Sequence, residues 1–176
     1  MWFKNLTLLR LAEPFSLTAE ALAARLEQHA FQPCSSHQPS AAGWTPPLGR
    51  KAVDLIHGVG GLLLICLRTE EKVLPATVVN QTLAERVALI EDQRGERVRR
   101  REKRELRDRI MEDLLPRALT RGRLGYAYLD PAAGWLVVDS ASSRGVDEIA
   151  GALRKTLGAF SVAPLRVAWS PVAIMT

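Results

Sequence analysis

The stretch Val78–Leu115, VVNQTLAERVALIEDQRGERVRRREKRELRDRIMEDLL, decides how the rest of the chain is read. Val79, Leu83, Val87 and Ile90 recur at helical spacing, and so do Leu106, Ile110 and Leu114. At about 100° per residue the second set falls on roughly the opposite side from the first if the helix is continuous. Gly95 lies between the two sets, where a break costs least. The spacing therefore predicts two helices, or one helix bent near Gly95. Pro75 opens this region and Pro116 closes it.

The same stretch holds the charge. Arg94–Arg109 contains nine Arg or Lys and four Asp or Glu, a surplus of five, and the whole chain of 176 residues has a net charge of +5. Everything outside this segment balances to zero. A neutral body with one cationic element points to a polyanion, most often nucleic acid. Eight of the nine basic residues are Arg, whose fork grips phosphate with two bonds. On the second helix Arg97, Arg100, Arg104 and Arg107 fall within one narrow stripe, with Leu106 and Ile110 facing mostly away. A charge run also serves as a solvated helix face laced by i,i+4 pairs, and Arg101–Glu105, Arg104–Asp108 and Glu105–Arg109 have that spacing.

Outward from this region the chain reads as strands and single helices. Trp2–Leu11 is rich in strand formers, and Pro14 ends it. Thr18 caps a helix over Ala19–His29, with Leu22 and Leu26 on one face. Phe31–Pro47, with its Pro, Ser and Gly, reads as loop, which Trp44 pins to the core. Val53–His57 and Leu62–Leu67 read as strands around a glycine turn. After Pro116, a turn carries Arg117, Arg121 and Arg123. Leu124–Leu129 and Leu136–Asp139 are the next strands, Ser143 caps a helix over Val146–Leu157 that Gly158 stops, and Val162–Trp169 is a last strand. The expected fold is α+β, with mostly antiparallel sheets, packed helices and a basic helical insertion. Residues 1–75 and 116–170 form the body, 76–115 the insertion, and 171–176 a tail that reads as cut before its natural end.

Other chemistry finds less support. His29, His37 and His57 stand singly, without metal-ligand spacing. Cys34 and Cys66 read as buried thiols of a cytosolic protein. No apolar run approaches the roughly 20 residues of a membrane span, and the N-terminus does not read as a signal peptide. No nucleophile elbow, P-loop or dinucleotide fingerprint is present, and no cofactor is implied. Asp54 ahead of one strand and Glu70-Glu71-Lys72 after the next could hold a metal and a Lys, as in some nucleases. A surface turn with balanced charges writes the same residues.

Several stretches together resemble the RdgC family of bacterial recombination-associated proteins. They are Trp2-Phe3-Lys4-Asn5-Leu6, Pro33-Cys34, Gly43-Trp44 with Pro46-Pro47 and Gly49, Arg68 with Glu70-Glu71-Lys72 and Leu74-Pro75, Leu114-Leu115-Pro116-Arg117-Ala118, Val138-Asp139-Ser140-Ala141-Ser142, and Leu153-Arg154-Lys155 with Leu157-Gly158. Their order and spacing over residues 2–165 carry the likeness. The resemblance implies a nucleoid-associated, non-enzymatic protein of the cytoplasm that binds duplex DNA with little sequence preference. It also implies a ring-shaped homodimer with a basic inner surface, which restrains the RecA recombinase by occupying DNA. Family chains are longer, so the likeness covers their N-terminal half or slightly more. Leu119 stands where the family often has Phe. Lys72 and Arg117 match basic positions of the family residue by residue, whereas Arg94–Arg109 matches in character.

The sequence thus predicts sequence-independent binding of double-stranded DNA through phosphate contacts, with no base-reading element. The expected contacts are Lys72, Arg97, Arg99, Arg100, Arg101, Arg104, Arg107, Arg117 and Arg121, with no catalytic residue and no metal. Two other readings stay open: a metal-dependent nuclease using Asp54, Glu70 and Lys72, and a protein-interaction module whose charged helix docks on an acidic partner.

Overall fold

A computed structural model describes residues 3–49 and 51–165. In chain order the elements are β1 (Leu6–Leu11), α1 (Ala19–Glu27), β2 (Ser40–Thr45), β3 (Ile56–Val59), β4 (Leu62–Val73), α2 (Ala76–Arg94) and α3 (Arg100–Leu114). A 3₁₀ turn (Leu115–Arg117), β5 (Leu119–Asp130), β6 (Trp135–Asp139), α4 (Ser143–Leu157) and β7 (Val162–Pro164) follow. Among the described residues this is an α+β fold, as the sequence predicts, with one mostly antiparallel sheet. Its strand order is β2-β4-β5-β6-β1-β7, with β3 paired to β4. The expected strand residue Trp2, the last part of the expected strand at Val162–Trp169, and the tail at 171–176 lie outside the described residues.

Local signals place most element ends. The Thr18 hydroxyl accepts the Ala21 N–H at 3.2 Å and starts α1. Ser142, one residue before the expected cap, accepts the Gly145 N–H at 3.2 Å and starts α4. Between the two central helices the chain does break. Gly95 takes φ 69°, its N–H closes on the Glu91 carbonyl, and Arg99 is extended before α3 begins.

Two expectations fail for one reason. The stretch read as loop over Phe31–Pro47 contains β2, and the residues read as a basic turn after Pro116 include the first half of β5. Neither has strand composition; both become strands because β4 pairs with each of them, and β2 gains a further bridge to the segment after α1. The Phe31 N–H meets the Trp44 carbonyl at 2.8 Å, and the Trp44 N–H meets the His29 carbonyl at 3.0 Å. Gly43 permits this approach, since a Cβ there would stand 2.4 Å from the Phe31 Cα. Trp44 is buried, as expected of an anchor, but from within a strand.

The described residues fall into two compact units. The first draws on residues 1–31, 42–68 and 124–176, and the second on 32–41 and 69–123. In the first unit Leu9 and Leu11 of β1, Ile65 and Leu67 of β4, Ala127 and Leu129 of β5, and Leu136 and Val138 of β6 share one sheet face. Leu22 and Leu26 of α1 and Ile149 and Leu153 of α4 join them in one core. Antiparallel register pairs Leu8 with Val137 and Tyr128 with Val137, so alternate residues take the other face. The second unit is built on the α2–α3 hairpin, whose buried residues are Val79, Val87, Val98 and Ile110. No helix among the described residues is long and apolar enough to cross a membrane.

Candidate nucleic-acid interface

The basic element is α3 with its approach and its exit. Ile110 is fully buried, Leu106 and Leu114 are half-buried, and apart from the exposed Met111 the rest of α3 is charged side chains. Arg97 and Arg99 precede the helix and are exposed; Arg100, Arg101, Arg104 and Arg109 are exposed on it. The stripe drawn from the sequence therefore differs at both ends. Arg97 is not on the helix, because Gly95 ends α2 and α3 begins only at Arg100, after an extended Arg99. Arg107 is on it, but its guanidinium turns to α2 and donates to Asn80 Oδ1 at 3.0 Å. Arg100 and Arg104 remain as the outward pair.

Acidic residues in and around the segment pair with basic residues, and two of these ion pairs, Arg94–Glu102 and Arg86–Asp113, join α2 to α3. Arg94 meets Glu102 at 2.6 Å, Arg101 meets Glu105 at 3.1 Å, and Arg86 meets Asp113 at 3.1 Å. Glu91 accepts the Val98 N–H at 2.9 Å and stands 4.0 Å from the Lys103 ammonium. Of the three i,i+4 pairs spaced in the sequence, Arg101–Glu105 forms. Exposed pairs of this kind contribute little, typically about 0.2–1 kcal/mol, and phosphate oxygens can replace their carboxylates. Asn80 and Glu91 were not among the expected site residues. Nothing in their local sequence marks them; they act on residues 27 and seven positions away.

Of the remaining candidates, Glu70, Lys72, Arg117 and Arg121 belong to the same unit and Asp54 to the other. Arg117 ends the 3₁₀ turn and is exposed, and Arg121 is exposed on β5. Arg123, on the same strand, stands 3.8 Å from Glu71. Lys72 is half-buried, and its ammonium donates to two main-chain carbonyls, those of Ser36 and Leu115. Glu70 is buried, and a carboxylate oxygen accepts the Cys34 N–H at 3.4 Å. Asp54 is exposed in the segment before β3. Among the described residues no three His, Cys, Asp or Glu side chains gather as metal ligands. Both cysteines are free thiols; Cys66 is buried and Cys34 half-buried.

Comparison with known proteins places this architecture. A family model described as "Putative exonuclease, RdgC" matches residues 1–176. A protein of Aeromonas hydrophila named "Recombination-associated protein RdgC" is 43% identical over 176 residues, which is all of this chain and 58% of the relative. Its namesake in Cupriavidus pinatubonensis is 46% identical over the same share of both chains. That of Shewanella baltica is 42% identical over 165 residues, 94% of this chain and 54% of the relative. The chain thus spans somewhat more than half the length of these relatives. With the family model matched from end to end, this chain belongs to the RdgC family.

Proposed function

We propose that this chain binds double-stranded DNA with little regard to base sequence and without enzymatic turnover, in the recombination role from which its relatives take their name. One observation carries the reading. The entire net charge of +5 lies in residues 94–109, which run from the end of α2 into α3, a helix that buries Ile110 and leaves Arg100, Arg101 and Arg104 exposed. Arg97, Arg99, Arg117 and Arg121, also exposed, add to the field. Such a surface contacts phosphates, which carry no sequence information. For a full-length protein of the family the proposal extends to a homodimer, associated with the nucleoid in the cytoplasm, that restrains the RecA recombinase by occupying duplex.

A salt series of duplex binding tests it. With about four to six phosphates neutralised, log K falls with log salt at a slope of roughly −4 to −5, and affinity lies near ~10⁻⁴ to 10⁻⁶ M at physiological salt. Arg100→Glu with Arg104→Glu weakens binding severely and flattens the slope. Lys51→Glu with Lys155→Glu changes net charge equally at exposed positions outside the segment and does much less. Equal weakening by two folded double variants, or strong preference for one short sequence, sinks the reading. The exonuclease description of the family sets a further arm: supercoiled and linearised plasmid with Mg²⁺ or Mn²⁺. Nicking of the circle or shortening of the linear duplex that co-purifies with the protein and is lost in Asp54→Ala replaces the non-enzymatic reading.

A further inference from the structure

We infer that Lys72, although a basic residue beside the candidate surface, is a positioning residue that aims Arg117 and does not itself contact phosphate. This rests on the duplex-binding reading of the surface.

Strand alternation puts Glu70 and Lys72 on one face of β4 and Glu71, which meets Arg123, on the other. On the first face the segment at 34–39 is bound to β4 at four points. The Cys34 N–H reaches the Glu70 carboxylate at 3.4 Å, and the Cys34 thiol reaches the Glu70 carbonyl at 3.6 Å. The Lys72 N–H meets the Pro39 carbonyl at 2.8 Å, and the Lys72 ammonium meets the Ser36 carbonyl. The same ammonium then reaches across to the Leu115 carbonyl at 2.9 Å, 43 residues along the chain.

Leu115 is a junction. It caps the C-terminus of α3 and opens the 3₁₀ turn that ends at Arg117. Its carbonyl accepts twice, from Lys72 and from the Ala118 N–H at 3.2 Å. The C-terminal end of a helix carries partial negative charge, so an ammonium is well placed there. An ammonium has three N–H donors, and two of these are committed to carbonyls. Turning Lys72 toward a phosphate would strip both carbonyls of a charged donor. Held in place, it fixes the turn from which Arg117 projects.

The experiment is a double-mutant cycle of Lys72→Met with Arg117→Ala, combined with amide hydrogen exchange of the unbound chain. Exchange at Ala118 and over residues 34–39 is expected to quicken at least tenfold in Lys72→Met. In duplex binding, the double variant is expected to match Arg117→Ala alone, with a salt slope lower by about 0.9, the value of one phosphate. Additive losses, with the slope lowered by about twice that amount, would show that Lys72 holds a phosphate of its own and overturn the assignment. Unchanged exchange overturns it as well. Should Lys72→Met not fold, Lys72→Gln, which keeps N–H donors without the charge, takes its place in the cycle. If the unsubstituted chain shows no salt-dependent duplex binding, the duplex reading fails and the proposed purpose of the clasp with it, while the exchange result separately decides whether Lys72 holds the turn.

Discussion

Glu91 accepts the backbone N–H of Val98 at 2.9 Å across the break between α2 and α3. The bond holds the extended approach to the basic helix against the last turn of the preceding one, over a Val98 side chain that is itself buried. Removing the acceptor leaves a partly buried N–H unpaired. Glu91→Ala is expected to lower unfolding stability by about 1–2 kcal/mol, and Glu91→Gln, which keeps an acceptor, by less. Urea titration with a spectroscopic probe checks both. A Glu91→Ala midpoint equal to that of the unsubstituted protein would show that the bond contributes nothing.

Two glycine-to-alanine changes are expected to have opposite signs. At Gly95 the backbone sits at φ 69°, where a Cβ clashes with its own carbonyl, so Gly95→Ala should cost about 1–2 kcal/mol. Gly151 lies within α4, and a Cβ added there meets nothing within 4 Å. Gly151→Ala should therefore raise stability by about 0.4–1 kcal/mol, through the lower entropy of the unfolded chain. Calorimetry of the two variants against the unsubstituted protein reads both signs at once.

Trp44 Nε1 donates to Thr156 Oγ1 on α4 at 2.9 Å. Trp44→Phe removes that donor and leaves a void where the larger ring system packed. A loss of about 1–3 kcal/mol is expected, and part of it should disappear in a Thr156→Val background, because the unpaired hydroxyl is then gone. Full additivity in that double-mutant cycle would mean the hydrogen bond has no weight.

Cys66 is buried and shares a side-chain hydrogen bond with Tyr126. Burial pushes its thiol up from an ordinary 9.0 to about 11, with the bond to Tyr126 acting weakly the other way. Tyr126 is also raised, first by burial and then by the neighbouring thiol. The sign follows from proton counts: between these values the unfolded chain loses the Cys66 proton and the folded chain keeps it. The stabilisation is complete below pH 9 and is lost as pH rises toward 11, by about 2–3 kcal/mol in all. Denaturant midpoints of the protein and of Cys66→Ala between pH 8 and pH 11 should converge as this contribution fades. At pH 8 a thiol reagent should modify one cysteine of the folded chain, Cys34, and leave Cys66 until unfolding.

Local interactions were legible in the sequence. The two central helices, their break at Gly95, the cap at Thr18 and the confinement of net charge to residues 94–109 all rest on neighbours a few positions apart, and local reading captures those. What the tertiary structure decided depends on partners far along the chain. β2 arose from residues rich in Pro, Ser and Gly because β4 pairs with it in the sheet and the 29–31 segment bridges to Trp44, and the first half of β5 became strand alongside β4. The direction of long basic side chains was decided in the same way. Arg107 belongs to the stripe by angle, yet Asn80, 27 positions away, draws it toward α2. Lys72 reads as a surface cation, yet two distant carbonyls hold it. A periodic pattern specifies which face of an element a residue occupies, but the end of a flexible charged side chain goes to the nearest acceptor in space, and only the folded chain brings that acceptor near.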